Sequence, residues 1–129
     1  MADHPNVVLL KQGYEAFAKK DMPALATLLS PDVVWHWTGQ GPLAGTHLGR
    51  DAVFGVFGKM AMLCPDFRNN VRDIVANDQH AVALTQATGT RPGKKLDLRN
   101  VMTFSIQNGK VSEFWLYTED QRAEEEFWS

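Results

Sequence analysis

Residues 96–106 read LDLRNVMTFSI, and this stretch decides the fold. Every second residue is apolar except one, and most of the residues between them are polar. A period of two is typical of a β-strand with one buried and one exposed face. The exception is Asn100, which lies on the apolar face, where an unpartnered carboxamide costs about 1–3 kcal/mol. Asn100 is therefore either a core residue bonded to a protein neighbour or a polar group that lines a ligand cavity.

The stretch that follows indicates a β-hairpin. Asn108-Gly109 supplies the two positive φ angles of a type I′ turn, and it joins residues 96–106 to a second strand, residues 111–118. Two earlier strands, residues 67–76 and 81–90, complete a predicted four-stranded meander. Because both faces of residues 111–118 are apolar toward their end, we expect one face of the sheet to be covered by helices. The other face is expected to pair with a second copy in a homodimer.

Helical patterns precede the meander. The first helix carries Val7, Leu10, Tyr14 and Phe17 on one stripe, and a short second helix starts at Asp21. A short strand, residues 33–38, precedes a third helix, residues 50–64, and the loop between them is rich in glycine. Helices grouped before an antiparallel sheet predict an α+β domain with the helices on the concave face. A last acidic helix ends the chain, and its run of three glutamates, residues 124–126, is interpreted as a solvated face.

The composition limits the classes of function. A chain of 129 residues with 44% hydrophobic residues and a net charge of −2 is expected to form one globular domain, residues 1–129. Without a basic cluster or a long apolar run, no nucleic-acid or membrane partner is expected. The single Cys64 and the polar first residues point to the cytoplasm. The four histidines lack ligand spacing, so we expect no metal and no cofactor.

A cavity with an apolar wall is predicted inside the fold. Trp35 and Trp37 share one face of their short strand, where they either fill a wide core or wall a pocket for a flat, apolar ligand. In residues 81–90 the face with the larger side chains is assigned to the same cavity. The expected ligand-binding residues are Trp35, Trp37, Phe57, Leu84, Gln86, Met102, Leu116 and Thr118, with Asn100 as the polar member and Tyr14 and Phe17 from the first helix.

Several stretches together resemble a known family. They are DVVWHWTG at 32–39, GPLAG at 41–45 with Gly49-Arg50, residues 96–104 with Asn108-Gly109, and EFW at 113–115 before Asp120-Gln121. The chain is identified as a member of the SnoaL-like branch of the NTF2-like superfamily, which includes ketosteroid isomerases, limonene epoxide hydrolases and polyketide cyclases. The resemblance implies a cystatin-like cone, in which three N-terminal helices wrap a curved mixed sheet around a cavity. It implies little about activity, because this superfamily performs unrelated reactions in that cavity.

The family's catalytic residues are only partly present. The resemblance to ketosteroid isomerases places Trp37 where they have a proton-shuttling Asp, Asn100 where they have an oxyanion-stabilising Asp, and Tyr14 at or beside their oxyanion Tyr. The Arg–Asp pair of the epoxide hydrolases is replaced by Leu98 and Asn100. The acid of the polyketide cyclases has a counterpart near Asp120, which fits a helix cap equally well. Asn100, Tyr14 and Asp120 are therefore the catalytic candidates.

Three functions stay open at this point. The favoured one is an enzyme that acts on a small, apolar, carbonyl-containing molecule by isomerase, cyclase or lyase chemistry, with Asn100 donating to the oxyanion and with no base identified. The alternative is a non-catalytic small-ligand-binding module, since no acid–base pair is found. The third is an interaction domain that uses Trp115 and Tyr117 on the outer sheet face.

Overall fold

The elements follow the predicted order, with one strand added. A computed structural model describes residues 3–129. In chain order the elements are α1 (Pro5–Ala18), α2 (Met22–Leu28), β1 (Leu29–Trp37), β2 (Gly45–Leu48), α3 (Arg50–Leu63), β3 (Arg68–Ala76), β4 (His80–Arg91), β5 (Lys94–Gln107), β6 (Lys110–Thr118) and α4 (Gln121–Trp128).

The six strands form one curved, unclosed sheet in the order β2-β1-β6-β5-β4-β3. The strand β1 runs parallel to β6, and every other neighbouring pair is antiparallel. Helices α1 and α2 precede β1 along the chain, and α3 follows β2. All three helices contact the sheet on its inner face. The predicted α+β cone with a curved mixed sheet is confirmed.

The alternating stretch lies in β5, in the interior of the sheet. Leu96, Leu98, Asn100, Met102, Phe104 and Ile106 lie on the inner face, all of them buried except the half-buried Phe104, whereas the residues that alternate with them face outward. Asn108 and Gly109 both have positive φ, 52° and 74°, so the type I′ turn joins β5 to β6 as predicted. The hairpin therefore fixes the register in which Met102 lies opposite Leu116 and Asn100 opposite Thr118.

The structure corrects two predictions about the strands. The glycine-rich loop contains a short strand, β2, that pairs with the end of β1 and was not predicted. In β4 the buried face is the one with small side chains, Ala81, Ala83, Thr85 and Ala87. Close packing explains this choice, since a Cβ added at Gly89 on that face would lie 2.4 Å from Cys64 Sγ. Larger side chains do not fit where the chain after α3 approaches β4.

The outer face of the sheet carries the side chains that alternate with the core. Leu84, Val101 and Tyr117 are exposed there, and the homodimer expected on this face stays a prediction. Across residues 3–129, the structure has no helix with the length and apolar character needed to cross a membrane.

Candidate functional site

An apolar cavity of about 100 Å3 lies between the helices and the inner face of the sheet. Its wall includes residues from α1, α2, α3 and α4 and from β1, β3, β4, β5 and β6. Of the predicted site residues, the wall contains Tyr14, Phe17, Trp35, Trp37, Phe57, Asn100, Met102 and Leu116. Most of the wall residues are apolar, so the few polar atoms in the wall are the ones that could orient a ligand.

Asn100 lies in the centre of the sheet, with Thr85 of β4 on one side and Thr118 of β6 on the other. Its side chain is buried, and its Oδ1 has no hydrogen-bond partner among residues 3–129. The backbone carbonyl, by contrast, accepts a long bond of 3.5 Å from Thr85 Oγ1. Native proteins seldom leave a buried amide unpaired. The carboxamide of Asn100 is therefore a candidate to bind a group that enters the cavity.

Two further polar side chains meet at the sulfur of Met102. Tyr14 Oη donates to Met102 Sδ over 3.2 Å, and Asn69 Nδ2 lies 3.9 Å from the same sulfur. A thioether is a weak acceptor, so both donors can exchange it for a stronger acceptor, such as the carbonyl oxygen of a ligand. Burial raises the pKa of Tyr14 above its usual value, which keeps the phenol protonated as a donor. Asn69 Oδ1 is buried without a partner among the described residues.

Glu124 is the carboxyl group that lines the cavity. It extends from α4, is only 3% exposed, and accepts a hydrogen bond from Trp128 Nε1 at its Oε1, at 3.1 Å. Its Oε2 is buried and has no partner within residues 3–129. Burial raises the pKa of Glu124 to about 7, although the bond from Trp128 acts in the opposite direction. Both protonation states are therefore populated near neutral pH.

The helix that carries Glu124 is fixed at both ends. Asp120 caps its first turn by accepting from the Ala123 N–H at 3.0 Å. At the other end Arg91 donates to the carbonyl of Phe127, and Lys94 Nζ donates to that of Glu126 at 2.9 Å. Cations are favourable at the carbonyl end of a helix, so the turn between β4 and β5 helps to hold Glu124 against the cavity.

Aromatic rings form the part of the wall beside β1. The ring of Trp35 stacks on Phe114 with centroids 5.0 Å apart, and it lies 5.1 Å from the ring of Trp37. Trp128 meets Trp37 edge-on at 6.0 Å. The indole Nε1 of Trp35 is buried without a partner among residues 3–129, which adds another free donor. Flat apolar surfaces with a few polar atoms are typical of small-molecule sites.

Four predicted site residues lie elsewhere. Leu84 and Gln86 are wrong as cavity residues because they belong to the outer face of β4, where Gln86 donates to Asp97 at 2.7 Å. Asp120 is an exposed helix cap, which was the other interpretation of this residue. Thr118 lies across from Asn100 on the same face, just outside the residues that line the cavity.

The remaining ionisable groups do not form a second centre. His36 bonds to Glu113 at 2.6 Å and to Thr46 at 3.1 Å, and its ring stacks on Trp115, which places it on the outer face. Burial raises the pKa of the Cys64 thiol to about 11, so it is a poor nucleophile. In the part of the chain that the structure describes, no three acidic, His or Cys side chains converge as metal ligands would.

Sequence reasoning missed Glu124 and Asn69. Glu124 was assigned to a solvated run, but it precedes Phe127 by three residues and Trp128 by four, so it shares their helix face. That spacing was a usable signal. The sequence around Asn69 contained no such signal, because the side of β3 that faces the cavity depends on a register shift between Val71 and Asp73.

Comparisons with known proteins agree with this architecture. A family model described as SnoaL-like domain matches residues 10–114. The fold is similar to that of Bal32a from a soil-derived mobile gene cassette, with a TM-score of 0.93, 30% identity and 97% of each chain covered. It is also similar to IdmH of Streptomyces antibioticus, a candidate polyketide cyclase, with a TM-score of 0.75, 22% identity and coverage of 90% and 92%. An uncharacterized protein of Mycobacterium tuberculosis is 28% identical over the whole of both chains.

Proposed function

The chain belongs to the family of SnoaL-like domains, and we propose that it is an enzyme that moves a proton on a small, apolar, carbonyl-containing substrate. The observation that carries this proposal is the presence of Glu124 and Asn100 on the wall of one apolar cavity. A buried carboxyl whose pKa is about 7 suits a general base, because such a base works best when its pKa is close to the working pH. The side-chain N–H groups of Asn100 suit a developing oxyanion because they donate hydrogen bonds, whereas its unpaired Oδ1 accepts them.

The proposed reaction begins with Glu124 ionised. Its Oε2 takes a proton from the carbon next to the substrate carbonyl, and the electron pair of that C–H bond becomes the double bond of an enolate. The carbonyl π electrons move to the oxygen, where Asn100 and Tyr14 donate hydrogen bonds to the new negative charge. Where the enolate is conjugated with a C=C bond, it recovers the proton from Glu124 at the far carbon of that bond and the carbonyl re-forms, as in an isomerase. In a cyclase the enolate carbon instead bonds to a second carbonyl carbon of the same molecule, the π electrons of that carbonyl move to its oxygen, and this oxygen takes the proton from Glu124.

The apolar wall contributes to this chemistry by excluding water. Charge–dipole interactions are stronger in a medium of low polarity, so donors inside the cavity stabilise an enolate more than they would in water. Candidate polyketide cyclase IdmH shares the fold, and intramolecular attack by an enolate is one reaction compatible with the groups described above. This likeness supports the cyclase form without selecting it over isomerisation.

The proposal is tested by exchange of carbon-bound hydrogen. The protein is incubated in D2O with 1-indanone, a compact apolar ketone, and loss of the α-proton signal is followed by NMR. We expect catalysed exchange that increases as the pH rises through about 7, because only the ionised form of Glu124 accepts a proton. Glu124→Gln should lower the rate by about 100-fold or more, and Asn100→Leu by about 100-fold.

Glu126→Gln is the matched control, because Glu126 is an exposed carboxylate on the same helix and should leave the rate unchanged. Asn100→Asp should also change the rate, because it replaces a neutral amide by an acid. If both Asn100 variants exchange as fast as the natural chain, Asn100 has no role in the reaction. If the natural chain accelerates α-hydrogen exchange in none of the three ketones 1-indanone, 2-tetralone and acetophenone, a non-catalytic binding module describes the protein better.

A further inference from the structure

A second chamber adjoins the cavity and opens it to the surface. It has a volume of about 680 Å3, and it lies between the end of α1, the middle of α3 and the start of β3. Six residues line both chambers: Tyr14, Phe17, Phe57, Met60, Phe67 and Asn69. The two chambers therefore share a wall, and we refer to the larger one as the outer chamber.

The volumes indicate how a substrate is distributed. An apolar cavity of roughly 150 Å3 holds one benzene molecule, so the inner cavity of about 100 Å3 accommodates no more than a small ring or its equivalent. Any larger substrate must extend past Phe57 and Phe67 into the outer chamber. The residues that line the outer chamber then indicate the chemical class of the group at the distal end of the substrate.

Two cationic residues that form no ion pair within residues 3–129 border the outer chamber. They are Lys20, between α1 and α2, and Arg68, the first residue of β3, and both are exposed. The residues that the structure describes form four ion pairs, and neither side chain takes part in one. Lys20 also has φ 57°, a left-handed conformation that favours glycine or asparagine. The chain therefore keeps a lysine where its backbone favours a different residue.

Among the described residues, Asp66 is the carboxylate that borders the outer chamber, and it is already engaged. Asp66 accepts from the Thr90 N–H at 2.9 Å, from Thr90 Oγ1 at 2.5 Å and from Cys64 Sγ at 3.2 Å. These bonds hold the pKa of Asp66 at about 2 and bind its oxygens on the β4 side. Lys20 and Arg68 are thus left free to bind an anion that arrives from solution.

We propose that the substrate is bipartite: an apolar, carbonyl-containing head fills the inner cavity, and an anionic group, a carboxylate or a phosphate, binds Lys20 and Arg68 at the outer chamber. This inference rests on the proposed function for the identity of the head. An arginine offers a planar pair of donors to either anion, and a lysine adds a point charge. Both cations also attract anionic molecules from solution before they bind.

The test compares two fluorescent probes that differ in one charged group. 8-Anilino-1-naphthalenesulfonate carries a sulfonate, and N-phenyl-1-naphthylamine has the same rings without it. We expect the anionic probe to bind more tightly to the natural chain. The double variant Lys20→Gln with Arg68→Gln should weaken its binding tenfold or more and should leave the neutral probe unchanged.

Lys110→Gln is the matched control. It removes one positive charge at the start of β6, where Lys110 pairs with Gln107. Gln107 lies ten residues along β5 from Asp97, which is connected to Arg68 through Thr88, so this charge is far from the outer chamber. Its effect on both probes should be small. Ala61→Trp should weaken both probes, because Ala61 is an exposed residue that lines the outer chamber. Displacement of the anionic probe by octanoate, octyl phosphate and octanol then separates carboxylate from phosphate, with octanol as the neutral reference.

Each outcome decides the inference. The inference is supported if the natural chain prefers the anionic probe and the double variant loses this preference. It is overturned if the two probes bind equally, if the double variant binds the anionic probe as the natural chain does, or if octanol displaces the probe as strongly as the anions do. In these cases the exchange activity stands as a separate result. If neither probe binds, the inference is overturned, and hydrogen exchange in 1-indanone shows whether the proposed function fails with it.

Discussion

Asn100 and Glu124 are two buried polar side chains whose hydrogen bonding the protein leaves incomplete. Such groups lower stability, and proteins retain them where they serve a ligand. Asn6 provides the contrast within the same chain, because it is buried to a similar degree but its Nδ2 donates to the carbonyls of Asn77 and Asp78 at 2.9 and 3.2 Å. Burial alone therefore does not distinguish a structural asparagine from a ligand-binding one; the presence of partners does.

This contrast predicts opposite effects of one substitution at the two asparagines. Asn100→Leu should raise the free energy of unfolding by about 1 kcal/mol, since it removes an unpartnered amide from an apolar wall. Asn6→Leu should lower it by about 1–3 kcal/mol, since it leaves two backbone carbonyls without their donor. Urea denaturation of both variants measures the two changes. A loss of stability in Asn100→Leu equal to that in Asn6→Leu would mean that the Asn100 amide has a structural partner.

At the scale of elements, local signals were sufficient for some of the fold. The alternation in β5 and the turn at Asn108-Gly109 determine that hairpin through short-range geometry, and both could be predicted from the sequence. The helical stripe of α1 is local in the same sense. These elements place Tyr14 and Asn100 on the inner side of the fold.

Other elements depend on contacts that a sequence does not display. The four-residue β2 exists because it pairs with β1 across a glycine-rich loop. The buried face of β4 is chosen by the close approach of Cys64 to Gly89, so the larger Leu84 and Gln86 are turned outward against the prediction. In α4 the periodicity did place Glu124 with Phe127 and Trp128, but a run of three glutamates was interpreted by composition instead.

At the scale of the whole molecule, Glu124 makes stability depend on pH. Its pKa rises from 4.5 to about 7 on folding, so the folded state binds the proton more tightly than the unfolded state does. The stability of the natural chain should therefore decrease as the pH rises from about 4.5 through about 7 and then level off. A shift of this size corresponds to about 3 kcal/mol.

Glu124→Gln should remove this dependence, since glutamine has no proton to lose. The variant and the natural chain should have similar free energies of unfolding at pH 4.5, and the variant should be more stable by about 3 kcal/mol at pH 8.5. Urea denaturation at the two pH values tests this, with Glu126→Gln as the exposed control. Parallel pH profiles for the natural chain and Glu124→Gln would show that folding leaves the pKa of Glu124 unchanged.

The account depends most directly on the protonation of one carboxyl group, which NMR can observe. In protein labelled with 13C at the glutamate side chains, the carboxyl resonance that disappears in Glu124→Gln is followed from pH 3 to pH 9. We predict a midpoint near pH 7. A midpoint below pH 5 would contradict the account, because Glu124 would then be an ordinary solvated carboxylate with no distinct capacity to accept and return a proton near neutrality.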